Sequence, residues 1–139
     1  MAKILEVLAR SVWDSRGRPT VEVEVAVKGA RGRGIAPAGA STGSGEAKSI
    51  DVRQAVQLIN TEIRSSLIGK NLHQEAIDNL LITLDGTPDK SRLGGNAMVA
   101  VSLACAHAAA AAAKKPLWKF LADASGLRAV AMPVPQIQI

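Results

Sequence analysis

The chain has 139 residues, 47% of them hydrophobic and 21% charged, with a net charge of +5. That composition suits one globular domain with its own core and excludes disordered, collagen-like and disulfide-stapled chains. It also excludes a complete (β/α)8 barrel, which needs roughly 200 residues or more.

The first forty residues read as β. Ile4 to Val12 is apolar and partly β-branched, and Asp14-Ser15-Arg16-Gly17 is a turn signal. Thr20 to Val27 alternates strictly, which predicts valines toward a core with Glu22 and Glu24 toward water. Lys28-Gly29-Ala30 turns the chain into a third, edge strand from Arg31 to Pro37, where Gly32 and Gly34 are poor strand formers. Ala38 to Ser44 is small and polar, a loop. The period then becomes helical: Val52, Val56, Ile59 and Ile63 share a face, and Gly69 ends that helix. A second helix is expected from His73 to Leu84, broken by Asp85-Gly86-Thr87-Pro88. A third, alanine-rich helix is expected from Ala97 to Ala113 with Asn96 as its N-cap. Lys114 and Lys115 suit its C-terminal dipole, and a fourth helix follows over Pro116 to Ala122. Val130 to Ile139 reads as an extended tail. The fold class is therefore α+β: a three-stranded antiparallel meander followed by a helical subdomain.

Little here announces chemistry by itself. Cys105 and His107 stand two apart on a helix, so they face different ways and do not form a nucleophile–base pair. Cys105 is the only cysteine, which excludes a disulfide within the chain and suits a reducing cytoplasm. Gly29 to Gly34 looks like a phosphate loop but continues as strand, so Arg31 and Arg33 read as a solvated hairpin. The positive balance suits an anionic partner. Three aromatics, Trp13, Trp118 and Phe120, are too few stacking platforms for a single-strand nucleic-acid binder. Glu6, Arg10 and Asp14 interrupt any signal-peptide core, and the alanine helix is expected to fall short of a membrane span. The loop Gly39-Ala40-Ser41-Thr42-Gly43 is flexible enough to fold over a ligand, and a hydroxyl oxygen is a legitimate Mg²⁺ ligand.

Company gives that loop weight. Asp14-Ser15-Arg16-Gly17-x-Pro19-Thr20-Val21-Glu22-Val23 resembles the opening signature of enolases. Gly39 to Gly43, followed by Glu46-Ala47, resembles their first mobile active-site loop. Asn60-Thr61-Glu62-Ile63, Leu67-Ile68-Gly69, Leu84-Asp85-Gly86-Thr87 and Lys90-Ser91-Arg92-Leu93-Gly94-x-Asn96-Ala97 follow in the family's order. Pro133-Val134-Pro135 resembles the crossing into the enolase barrel. The resemblance implies the enolase N-terminal domain, which caps a catalytic barrel. It implies a part in Mg²⁺-dependent dehydration of 2-phosphoglycerate to phosphoenolpyruvate, a lyase step of glycolysis. Gly39, Ala40, Ser41, Thr42 and Gly43 would be the substrate-binding loop, and Ser41 a Mg²⁺ ligand.

The departures bear on activity. The family usually has Ser at Ala38 and Asn at Arg18, and carries a longer segment with a second active-site loop between Glu46-Ala47 and Val52. The family's barrel supplies the acidic metal ligands, the base lysine, the general-acid glutamate and a substrate-contacting histidine. The expectation is a capping domain over residues 1–139 with the catalytic barrel absent from this chain, and no activity or Mg²⁺ binding alone. Its partner would be an enolase-type barrel chain or a full-length enolase, with a phosphorylated metabolite bound only in a completed site. Val134, Ile137 and Ile139 would favour self-association. The alternative is a stand-alone, non-catalytic binding or regulatory paralogue.

Overall fold

The structure is a computed structural model that describes residues 2–126, 132 and 134–137. Strands β1 (Ile4–Trp13), β2 (Pro19–Val27) and β3 (Ala30–Ile35) form the expected antiparallel meander in the order β1-β2-β3. The Asp14 carboxylate builds the first turn, accepting from the amides of Arg16 and Arg18 at 2.8 and 2.9 Å. Val21, Val23 and Val25 are fully buried, as strict alternation requires.

The opposite face of β2 differs from expectation. Glu22 is only 5% exposed, and Thr20 and Ala26 are buried beside it. β2 is the central strand, so side chains from both neighbours lie over it. Arg10 reaches the Glu22 carboxylate from β1 at 2.5 Å, and Arg33 reaches it from β3 at 3.5 Å. The long arginine stems shield the glutamate while their heads keep it paired. Arg31 binds Glu24 in the same manner and lies 3.5 Å from Glu6. The glycine-rich stretch is thus hairpin turn and strand, with its arginines in ion pairs.

Helix α1 (Val52–Leu58) starts at Asp51, whose side chain accepts from the amides of Arg53 and Gln54. It runs on through a π-helical turn (Ile59–Ile63) into α2 (Arg64–Leu67), and Gly69 closes it at φ +79°. Apolar spacing shows one helix and hides the widened turn. Within that turn Ile59 and Ile63 are fully buried and Asn60 is turned to β1. Helix α3 (Gln74–Asp85) is capped by His73, whose Nδ1 accepts from the Ala76 amide at 3.4 Å.

Helix α4 (Gly95–Ala112) crosses β3 and β2 and supplies much of the core. Its alanines let the backbones meet. A Cβ built on Gly32 would lie 2.0 Å from the Ala108 nitrogen, and one on Gly34 would lie 2.3 Å from the Ala100 carbonyl oxygen. The glycines that weaken β3 as a strand are the ones that seat the helix. By length and composition α4 passes for a membrane span, contrary to the expectation from its alanine content. Its packing is that of a core helix. Cys105 is buried within it, and burial first, with the Asp78 charge second, pushes the thiol up to about 12. His107 is exposed on another side. Helix α5 (Leu117–Ala124) follows, with Lys115 in the preceding turn 2.7 Å from Asp123 and Lys119 paired with the same carboxylate along the helix at 2.9 Å. In the expected tail, Met132, Val134 and Ile137 are exposed. Residues 127–131, 133, 138 and 139, including Val130, Pro133 and Ile139, lie outside the described residues.

Candidate functional site

The loop between β3 and α1 is tied at both roots and free between them. At the first root the Ala36 amide donates to the Val21 carbonyl at 3.3 Å, and the Thr20 hydroxyl donates to the Ala36 carbonyl at 2.8 Å. Residues 37–42 make no hydrogen bond to the described residues. Gly39, Ala40, Ser41, Thr42 and Gly43 are all exposed and consecutive. A turn then tightens the chain. The Gly43 amide donates to Glu46 Oε1 at 3.0 Å, and the Glu46 amide donates to the Gly43 carbonyl at 3.2 Å.

The second root is built from residues far along the chain. The Lys48 amide donates to the Asp89 carbonyl and the Lys48 carbonyl accepts from the Gly95 amide, both at 2.7 Å. Asn96 holds Ile50 by both backbone groups: Oδ1 accepts from its amide at 3.2 Å and Nδ2 donates to its carbonyl at 3.0 Å. Asn96 is therefore not the helix N-cap. Gly94 occupies that position and has no capping side chain, and the Lys48 carbonyl accepts from the Gly95 amide in the first turn. From its place before the alanine run, Asn96 reads as a local cap. Its link to Ile50 spans two segments that only the fold brings together.

Asp85 stiffens the ground under that root. It is buried at the end of α3, where its carboxylate accepts from the Leu93 amide at 2.7 Å, the Thr87 amide at 2.9 Å and the Thr87 hydroxyl. Arg92 donates to the Asp85 carbonyl at 3.0 Å and grips Glu62 at 2.8 and 3.1 Å. Burial works against the Asp85 charge, but the Thr87 hydroxyl, the Leu93 and Thr87 amides and Arg92 outweigh it and hold the pKa below the usual value. The motif from Leu84 to Asn96 is a structural knot that positions the loop root.

A cleft of about 480 Å³ opens between the two roots, lined by Thr20, Ile35, Ala36, Glu46, Ile50 and Asn96 among others. Its chemical equipment is small: hydroxyls, amides and one carboxylate already engaged with Gly43. Among the described residues no group of three His, Cys, Asp or Glu is placed to hold a metal. Mg²⁺ demands six oxygens in near-octahedral array and gives up its waters reluctantly. Among the described residues the donors do not fit a Mg²⁺ site unaided; Ser41 offers one hydroxyl, and no cluster of acidic side chains is gathered there.

A three-stranded meander backed by an alanine helix, with a small-residue loop hung from its end, is an α+β domain. Residues 4–121 match the family model described as the enolase N-terminal domain. The chain is 49% identical to Enolase 2 of Pseudomonas syringae pv. syringae and 48% identical to the enolase of Methanocaldococcus jannaschii. Each match takes in 99% of this chain and 34% of the relative. The chain belongs to the enolase N-terminal domain family, and it spans about a third of the length of these curated relatives. The match to the Pseudomonas protein runs over 150 positions against 139 residues here, so at least 11 of that relative's positions have no counterpart in this chain. In the structure Ala47 to Asp51 passes straight from the loop to α1.

Proposed function

We propose that this domain serves as the lid of an enolase-type site in the cytoplasm, closing over 2-phosphoglycerate when a catalytic barrel is joined to it. The observation that carries the reading is the loop of residues 37–42, which makes no hydrogen bond among the described residues between two pinned roots. Such a segment can move as a flap without disturbing the sheet. In the completed site, Gly39 to Gly43 bring small side chains and backbone amides to the substrate, and Ser41 brings one hydroxyl. Mg²⁺, held chiefly by the barrel's carboxylates, would supply charge stabilisation for a carbanion beside a carboxylate. The lid excludes water and leaves proton abstraction to the barrel.

A second reading, a stand-alone module that pairs with a full enolase, draws on the positions missing relative to the Pseudomonas protein. One chimaera separates the two. This chain replaces the first third of the archaeal relative, and 2-phosphoglycerate dehydration is followed by absorbance. Turnover that falls when Ser41 becomes Ala supports the lid. A folded chimaera without turnover leaves the stand-alone module.

A further inference from the structure

The far end of the loop is held by one side chain. Gly43 and Glu46 are bonded reciprocally: the Gly43 amide donates to Glu46 Oε1 at 3.0 Å, and the Glu46 amide donates to the Gly43 carbonyl at 3.2 Å. This is the wiring of a capping box, here closing a turn that no helix continues. Nothing else in the turn demands its shape. Gly43 and Gly45 both lie outside the left-handed region. A Cβ on Gly45 would meet nothing within 4 Å, and one on Gly43 would lie 3.5 Å from Glu46 Oε1, an ordinary contact. Two glycines in three residues make the turn costly to order, since glycine gives up the most backbone freedom. The Glu46 carboxylate is what offsets that cost, through a charge-assisted bond to the backbone.

Glu46 also lines the cleft beneath the loop, and among the described residues it is the only charged one to do so. A carboxylate there opposes an anionic substrate, so its task is something other than contact with that substrate. The Gly43 amide is that task. Without the carboxylate, the next backbone tie after Ala36 is at Lys48, and the free segment would run over residues 37–47 instead of 37–42. We propose that Glu46 is a positioning residue of the lid: it fixes the hinge at Gly43, so that residues 37–42 move as a short flap and only they are ordered on closure. The proposal rests on the lid reading and adds to it the device that sets the length of the flap.

Hydrogen exchange in the isolated chain gives the first readout. The Gly43 and Glu46 amides should be protected in the parent and in Glu46→Gln, whose side-chain carbonyl still accepts. In Glu46→Ala they should exchange roughly tenfold faster, with Lys48 and Ile50 unchanged. Equal exchange at Gly43 in the parent and Glu46→Ala would overturn the hinge. The chimaera with the archaeal barrel gives the second readout. In Glu46→Ala, KM for 2-phosphoglycerate should rise roughly tenfold with kcat nearly unchanged, because ordering even one more residue on closure costs about that factor. In Glu46→Gln, KM should stay at or below the parent value. A Gln variant as impaired as the Ala variant would show that the charge itself acts on metal or substrate, and would overturn the hinge while leaving the lid. Equal KM values in all three active proteins would overturn it as well. Protection lost in Glu46→Ala, with a folded parent chimaera that shows no turnover, would support Glu46 as the clamp of the loop and remove the lid.

Discussion

The side-chain amide of Asn60 lies edge-on to Ala9, accepting from its N–H at 2.8 Å and donating to its carbonyl at 2.9 Å. One side chain thereby does for the outer edge of β1 what a fourth strand would do. Ile4 is satisfied nearby by Lys70 and Gly69, at 2.9 and 2.8 Å. An uncovered edge is a template for pairing with other chains. Asn60→Leu should cost about 1–3 kcal/mol, because it leaves two backbone groups unpaired beneath an apolar side chain. Thermal unfolding would measure the cost, and light scattering should show more aggregation than the parent.

The contact of α4 with β3 predicts intolerance to bulk. Ala104 and Ala108 are fully buried against Gly32 and Gly34. Ala104→Leu or Ala108→Leu should destabilise by about 1–3 kcal/mol, and Gly32→Ala by at least the upper end of that range, since helix backbone cannot swing aside. Unchanged melting temperatures for all three would show that the helix stands off the sheet.

Acid should loosen the Asp85 knot. Its folded pKa lies below the unfolded value, so its contribution is fully present above the unfolded value of about 3.9 and is lost as pH falls through the lower folded value. Urea titrations from pH 7 downward should show stability dropping below about pH 4. Asp85→Asn should be less stable at neutral pH and show a flatter acid limb. Equal slopes for the two proteins would remove Asp85 from the acid response.

Hydrogen exchange should divide the loop. Amides of residues 39–42 should exchange near the rate of an unstructured peptide, while Lys48, Ile50 and Gly95 are protected by their bonds. Asn96→Ala should speed exchange at Ile50 and leave the sheet amides unchanged. Slow exchange at residues 39–42 would mean that the loop is closed without a partner.

The isolated chain should bind Mg²⁺ negligibly and form no phosphoenolpyruvate, because Ser41 brings a hydroxyl without carboxylates. Calorimetry showing a micromolar site lost in Ser41→Ala would contradict this. Light scattering of the same preparation tests the self-association expected from exposed Val134 and Ile137.

The elements were legible because their cues are local: alternation in β2, the three-and-four spacing around Ile59 and Ile63, the turn at Asp14. The order of motifs also made the loop of residues 39–43 legible as a candidate lid. What stayed hidden depends on neighbours distant in sequence. The burial of Glu22 needs arginines from two other strands, and Asn96 looks like a cap until Ile50 is beside it. The role of Gly32 and Gly34 appears only when the α4 backbone arrives.

That last contact also orders the folding reaction. With two glycines among its six residues, β3 has little to hold it against β2 until α4 docks, and α4 comes from the far half of the chain. The β1–β2 hairpin can form early and locally, but closing the sheet must wait for a long loop to be brought together. We expect refolding to be limited by this encounter. Stopped-flow chevrons of conservative substitutions on the helix face at Ala104 should then show slower refolding more than faster unfolding, whereas changes at the Asp14 turn should leave refolding nearly as fast as in the parent.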